Sequence, residues 1–148
     1  MILLTLLVIP LFTAGLIAFT RRRVIMELLH ALTAIAVLGA GGIIAAQVWN
    51  GEVLAAGDLF RVDALSALMV VIITFLGAIA SLYAVGYIRA DLDDPHLARV
   101  RLFFSLLHLF LFTMLVAVTT DNLGVMWVAI EGTTLATVFL VNLHRSRT

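Results

Sequence analysis

Hydrophobic residues fall along this chain in five long, nearly unbroken runs: Ile2 to Thr20, Val24 to Trp49, Val62 to Ile88, Leu102 to Thr120 and Leu123 to Leu143. Each reaches or exceeds the roughly 18 apolar residues that cross a hydrocarbon layer about 30 Å thick. The strands of a membrane barrel would instead alternate apolar and polar over about ten residues. In lipid a spanning segment must satisfy its own backbone N–H and C=O groups, and a continuous helix does so. The pattern predicts an all-α integral membrane protein. It is expected to form one membrane domain over 1–148, with five transmembrane helices at about 2–20, 24–49, 62–88, 102–120 and 123–143.

The connections are short. Asn50 to Arg61 (NGEVLAAGDLFR) reads as an outer loop with Trp49 and Phe60 suited to the membrane interface. Arg89 to Arg101 (RADLDDPHLARVR) reads as a cytoplasmic loop of mixed charge, in which Asp93-Asp94-Pro95-His96 is better explained as a solvated turn than as a metal site. Thr119 to Asn122 is so brief that the fourth and fifth helices must form an antiparallel hairpin. Pro10 is expected to bend the first helix, and Gly39, Gly41 and Gly42 to permit close helix contact. There is no convincing internal repeat or low-complexity tract.

Composition sharpens this picture. Of 148 residues, 64% are hydrophobic and 12% charged, about half the charged fraction usual in a soluble domain. No soluble core of this size hides so much apolar surface. The first run has no basic residue ahead of it and Arg21, Arg22 and Arg23 behind it, the reverse of a signal peptide, and is expected to be a retained helix. Short basic loops stay in the cytoplasm. Eight of the nine arginines fall on one side of a five-helix zigzag and only Arg61 on the other, so the N-terminus is expected outside and the C-terminus in the cytoplasm. A net charge of zero gives no sign of a nucleic-acid partner. Cysteine is absent, which excludes a thiolate metal site or cysteine-ligated iron–sulfur cluster in this chain.

Candidate chemistry sits where ionisable groups interrupt the apolar runs, because such groups are costly at membrane depth. Glu131, eight residues after Leu123 and twelve before Leu143, is expected near mid-membrane as a proton-path carboxyl; the bland alternative is a carboxyl held for packing. His108, six residues into the run that starts at Leu102, is expected about 9 Å from the cytoplasmic end, with Glu131 about 9 Å deeper and joined to it by one or two waters. A histidine satisfied by a neighbouring helix is an equal alternative. Glu27 and His30, three apart, read mainly as interfacial groups and secondarily as path residues. Thr133, Thr134 and Thr137 line a hydrated path or, more simply, bond to their own helix. His30 and His108 at similar depth also raise bis-histidine haem ligation, which no further histidine pair supports.

The stretches VDALSALMVVIITFLGAIASLYAVGYIR and FFSLLHLFLFTMLVAVTTDNLGVMWVAIEGTTLATVFLVNLHRSRT resemble the antiporter-like, proton-translocating membrane subunits of respiratory complex I and its relatives. TDNLGVMWVAIE and the YAVGY ending of the third helix are the most specific elements, and WVAIEGTTLATVFLVN is most like component F of hydrogenase-4. The resemblance covers Val62 to Thr148; the first two helices fit only in hydropathy and orientation. It implies that Glu131 is a proton-path residue paired, in the family, with a lysine two spans further on. This chain has no lysine and corresponds only to the first five helices of a longer subunit, so it is expected to be either an N-terminal portion or a short subunit completed by another chain. The resemblance further implies other membrane-arm subunits and peripheral redox subunits as partners, with iron–sulfur, nickel–iron or flavin centres in those partners and no catalytic centre here. It points to a bacterial or archaeal cytoplasmic membrane. A non-redox sodium/proton antiporter complex and an ion-inert scaffold remain the alternative functions.

Overall fold

The computed structural model describes residues 1–91 and 97–145; the side chains of 89–91 and 144–145 lie outside that description, as does the Asp93–His96 turn considered above. Among the described residues the chain forms α1 (Ile2–Phe19), α2 (Arg23–Trp49), a hairpin of β1 (Leu54–Ala56) and β2 (Phe60–Val62), then α3 (Ala64–Asp91), α4 (Leu97–Thr119) and α5 (Leu123–Arg145). All five helices are long and apolar enough to span a membrane. Side chains such as Phe12, Leu32, Phe75 and Val138 stay exposed on the outside of the bundle, the inverse of a soluble surface.

Helix ends follow local chemistry. Asp63 Oδ1 accepts the Ser66 N–H at 2.8 Å and caps α3, so this helix starts after Val62 rather than at it. That bond holds the exposed Asp63 carboxyl below the usual carboxylate range. Asn122 Oδ1 accepts from Gly124 N (2.9 Å) and Val125 N (3.1 Å) and caps α5. α4 begins at Leu97, five residues earlier than the apolar run, because Arg99 and Arg101 are good helix formers whose heads can reach water from a helix end. α1 remains helical through Pro10.

The outer loop contains more order than expected. Leu54 pairs with Val62, Ala55 with Arg61 and Ala56 with Phe60, around a turn in which Gly57 has φ +63°. The Leu59 carbonyl at that turn accepts from Asp121 N (2.9 Å) and from Thr120 Oγ1 (2.9 Å), so the hairpin is fastened to the α4–α5 turn.

Two clusters hold the bundle together. One joins Leu6, Val37, Val70 and Leu115 towards the hairpin end; the other joins Ile17, Met26, Ile88 and Phe104 towards the opposite end, where Arg21–Arg23 and the start of α4 also lie. Close approach depends on particular glycines. A Cβ on Gly41 would sit 2.6 Å from Thr74 Oγ1, one on Gly77 2.9 Å from Leu111 Cδ1, and one on Gly132 2.9 Å from Thr113 Cγ2. Gly39 and Gly42 face open space, so of the three glycines expected at contacts on α2 only Gly41 makes one.

Candidate functional site

Four of the five helices bury between 33% and 39% of their most apolar window, whereas α5 buries 11% and packs mainly on α4. Thr133 marks the packed side: its hydroxyl lies 3.0 Å from Thr113 Oγ1 and 3.0 Å from the Ala129 carbonyl. Glu131 and Thr134 lie on the exposed side. Glu131 Oε1 accepts a long hydrogen bond from Trp127 Nε1 (3.4 Å), one turn away. Thr134 and Thr137 donate to the Ile130 (3.1 Å) and Thr133 (2.8 Å) carbonyls of their own helix. All three threonines thus bond to carbonyls of their own helix.

His108 and His30 are placed differently from the sequence expectation. With α4 starting at Leu97, His108 lies about 16 Å into the helix, near its middle, and about 4 Å from the depth of Glu131 counted from the α4–α5 turn. It does not meet Glu131, which faces away on α5. Instead His108 Nε2 lies 2.9 Å from His30 Nδ1, and both rings are almost wholly buried, at 1% and 0% exposed. His30 is thus a core residue, not an interfacial one. Its ring also packs on Phe104, with centroids 4.4 Å apart.

The bonding assigns the tautomers. His30 Nε2 lies 3.2 Å from the Ser81 carbonyl, which only accepts, so Nε2 carries the hydrogen. In a neutral His30 ring Nδ1 is then an acceptor, and His108 Nε2–H must donate to it. The chain of donors runs from α4 through α2 to α3 and ends on a carbonyl. His108 Nδ1 is left as a buried lone pair, and with Gln47 Oε1 it is one of the two buried side-chain polar atoms without a partner among the described residues. The 2.9 Å between the two ring nitrogens is a hydrogen-bond separation, whereas two imidazoles holding one metal between them would stand about 4 Å apart, on metal–nitrogen distances of about 2 Å.

Glu27 is also buried, at 8% exposed, rather than interfacial, and its Oε1 accepts from Arg23 Nε at 3.0 Å one turn earlier. Burial raises the cost of this charge, and the Arg23 guanidinium one turn earlier offsets part of it. Of the polar residues considered in the sequence, His30 and His108 come together and Glu131 stands apart from them. Similar depth of His30 and His108 on different helices was the one signal of their pairing.

Fold and site together define a multi-pass helical membrane protein with ionisable groups inside its spans. Residues 58–101 match the family described as NADH-ubiquinone oxidoreductase (complex I), chain 5 N-terminus. The chain is 34% identical over 92 residues to a hydrogenase-4 component F homolog of Methylacidiphilum infernorum, covering 61% of this chain and 19% of that protein. It is 38% identical over 88 residues to NADH-ubiquinone oxidoreductase chain 5 of Chondrus crispus, 60% of this chain and 12% of the relative. It is 31% identical over 155 aligned positions to NADH-quinone oxidoreductase subunit L of Mycobacterium tuberculosis, 92% of this chain and 24% of the relative. The chain is a homologue of the N-terminal portion of these membrane subunits, and it spans at most about a quarter of the length of the relatives named here.

Proposed function

We propose that this chain is a membrane-arm component of a redox-driven, proton-translocating complex of the complex I or membrane-bound hydrogenase type, and that it supplies part of a proton path through Glu131. One observation carries the reading. α5 presents a carboxyl near its middle on a side that none of the described residues of the other helices covers. On insertion scales an acidic group facing lipid at that depth costs about 2.5–3.5 kcal/mol. The same face carries two threonines and Asn142. Such a face is suited to further protein, and a cation from that protein beside Glu131 would remove the penalty and complete the path. The names of the relatives, NADH–quinone oxidoreductase and hydrogenase-4 subunits, favour a redox complex over a sodium/proton antiporter.

In this reading the N-terminus and the hairpin lie outside, and the arginine-rich ends of α1, α2 and α4 lie in the cytoplasm of a bacterial or archaeal cell. Iron–sulfur, nickel–iron or flavin centres belong to peripheral redox partners, the other membrane-arm subunits contact α5, and no nucleic acid is involved. The His30–His108 pair plays a smaller part than Glu131. A donor chain that ends on the Ser81 carbonyl offers a proton no exit while the rings keep these positions.

The test is the company the chain keeps. Gentle purification from its native membrane followed by mass spectrometry should identify a large hydrogenase or dehydrogenase subunit in constant ratio. Recovery with small membrane subunits alone would overturn the redox assignment in favour of an antiporter complex.

A further inference from the structure

α1 carries a feature unrelated to proton chemistry. Its outward face carries a shallow, open cleft of about 430 Å³ between Val8 and Phe19, lined by side chains of α1 alone. A second cleft of about 270 Å³ lies between α1 and α4, lined in part by Ala18, Leu102 and Leu109. The two share Leu11 and Gly15, and nothing lies within 4 Å of a Cβ built on Gly15. The lining is apolar apart from Ser105, whose hydroxyl already donates to the Ala14 carbonyl at 2.5 Å. From Val8 to Phe19 the first cleft follows α1 for about 16 Å, close to the depth of one leaflet, half of a hydrocarbon layer about 30 Å thick.

Arginines stand near one end of the clefts. Arg21 and Arg22 are exposed and follow directly after α1. Arg101, half-buried, directly precedes Leu102 of the second cleft. The Ser105–Ala14 bond and the shared core cluster of Ile17 and Phe104 place the beginning of α4 beside the end of α1, so these arginines share one end of the paired clefts. Arg23 is engaged with Glu27. The segment before α4 also contains Asp91, Asp93 and Asp94 in sequence, so this end carries both signs of charge, with the arginines adjoining the clefts.

We propose that the paired clefts bind one anionic phospholipid, an acyl chain in each, with its phosphate held by Arg21 and Arg22 and flanked by Arg101. Two apolar clefts joined at a glycine match the two chains of such a lipid, and cationic side chains where the clefts end match its headgroup.

Native mass spectrometry of the full chain, released from nanodiscs of equal parts dioleoyl phosphatidylglycerol and dioleoyl phosphatidylcholine, tests this. One phosphatidylglycerol should be retained in preference to phosphatidylcholine. Arg21→Gln and Arg22→Gln should each lower that preference about fivefold, the equivalent of about 1 kcal/mol per arginine near a membrane surface. Gly15→Leu should abolish retention while helicity by circular dichroism stays unchanged, because a Cβ there meets nothing within 4 Å and the added side chain occupies the junction. Gly39→Leu, equally open but on α2, should retain the lipid. Equal retention of both lipids would overturn the proposal. So would a Gly15→Leu variant that binds like the wild type, or full competition by glycerophosphoglycerol, which has the headgroup without chains; either would leave only headgroup attraction.

Discussion

Removing one member of the His30–His108 pair should cost more than its packing, and removing both should cost less than the sum. His108→Leu keeps much of the volume but leaves His30 Nδ1 a buried lone pair without its donor. His30→Leu strands His108 Nε2–H and also frees the Ser81 carbonyl from its second donor. An unsatisfied buried group costs about 1–3 kcal/mol. Hydrogen bonds between membrane helices measured by double-mutant cycles average about 0.6 kcal/mol and reach about 1.7. Contact between 0% and 1% exposed rings puts this pair towards the upper part of that range, so a coupling energy of about 1 kcal/mol is expected. The assay is reversible unfolding in mixed micelles, followed by helical ellipticity, for the wild type, both single variants and the double variant. Strict additivity of the two single effects would refute the hydrogen bond and the tautomer assignment built on it.

Three further outcomes follow from local geometry. Gly41→Ala should destabilise by about 1–3 kcal/mol through overpacking against Thr74, whereas Gly42→Ala, in open space, should be neutral or stabilising by up to about 1 kcal/mol; the same unfolding assay separates them. Because the folded carboxyl of Asp63 titrates below its ordinary value, its capping of α3 is fully present above the usual aspartate pKa and is lost as pH falls through the folded value. Asp63→Asn should therefore remove a loss of stability expected in the wild type as pH falls below about 4. Single cysteines at Arg22 and Gly57, both exposed at opposite ends of the bundle, should react with impermeant maleimide from the cytoplasmic and outer faces respectively; the reverse pattern would invert the orientation proposed here.

The hydropathy pattern contained the helices and little of what joins them. Five apolar runs gave five helices because spanning length and backbone satisfaction leave lipid-exposed segments few alternatives. Boundaries moved where short-range chemistry outweighed hydropathy: the Asp63 cap delayed α3, and Arg99 and Arg101 extended α4 beyond its apolar part. The hairpin was missed because two strands of three residues are too short for an alternation signal, although Gly-Asp between apolar neighbours in LAAGDLFRV is a turn signature. Helical facing was the larger gap. Glu131 and His108 came out at similar depth, yet they point to opposite sides of the α4–α5 layer. Every side of a membrane helix is apolar, so the sequence pattern does not say which face meets protein. The same ambiguity concealed the burial of His30 and Glu27, whose positions near one end suggested the interface.

The central claim is that Glu131 exchanges protons on a face completed by another part of the complex. Its most direct test is acidification of vesicles containing the whole complex during turnover, normalised to assembled protein, for wild type, Glu131→Gln and Glu131→Ala. Glutamine keeps nearly the volume and hydrogen-bonding reach of glutamate but does not titrate. If Glu131 exchanges protons, Glu131→Gln should assemble at normal yield and lose most of its turnover-coupled proton movement. An assembled Glu131→Gln complex that pumps at the wild-type rate, with only Glu131→Ala impaired in assembly, would contradict it and leave Glu131 a packing residue.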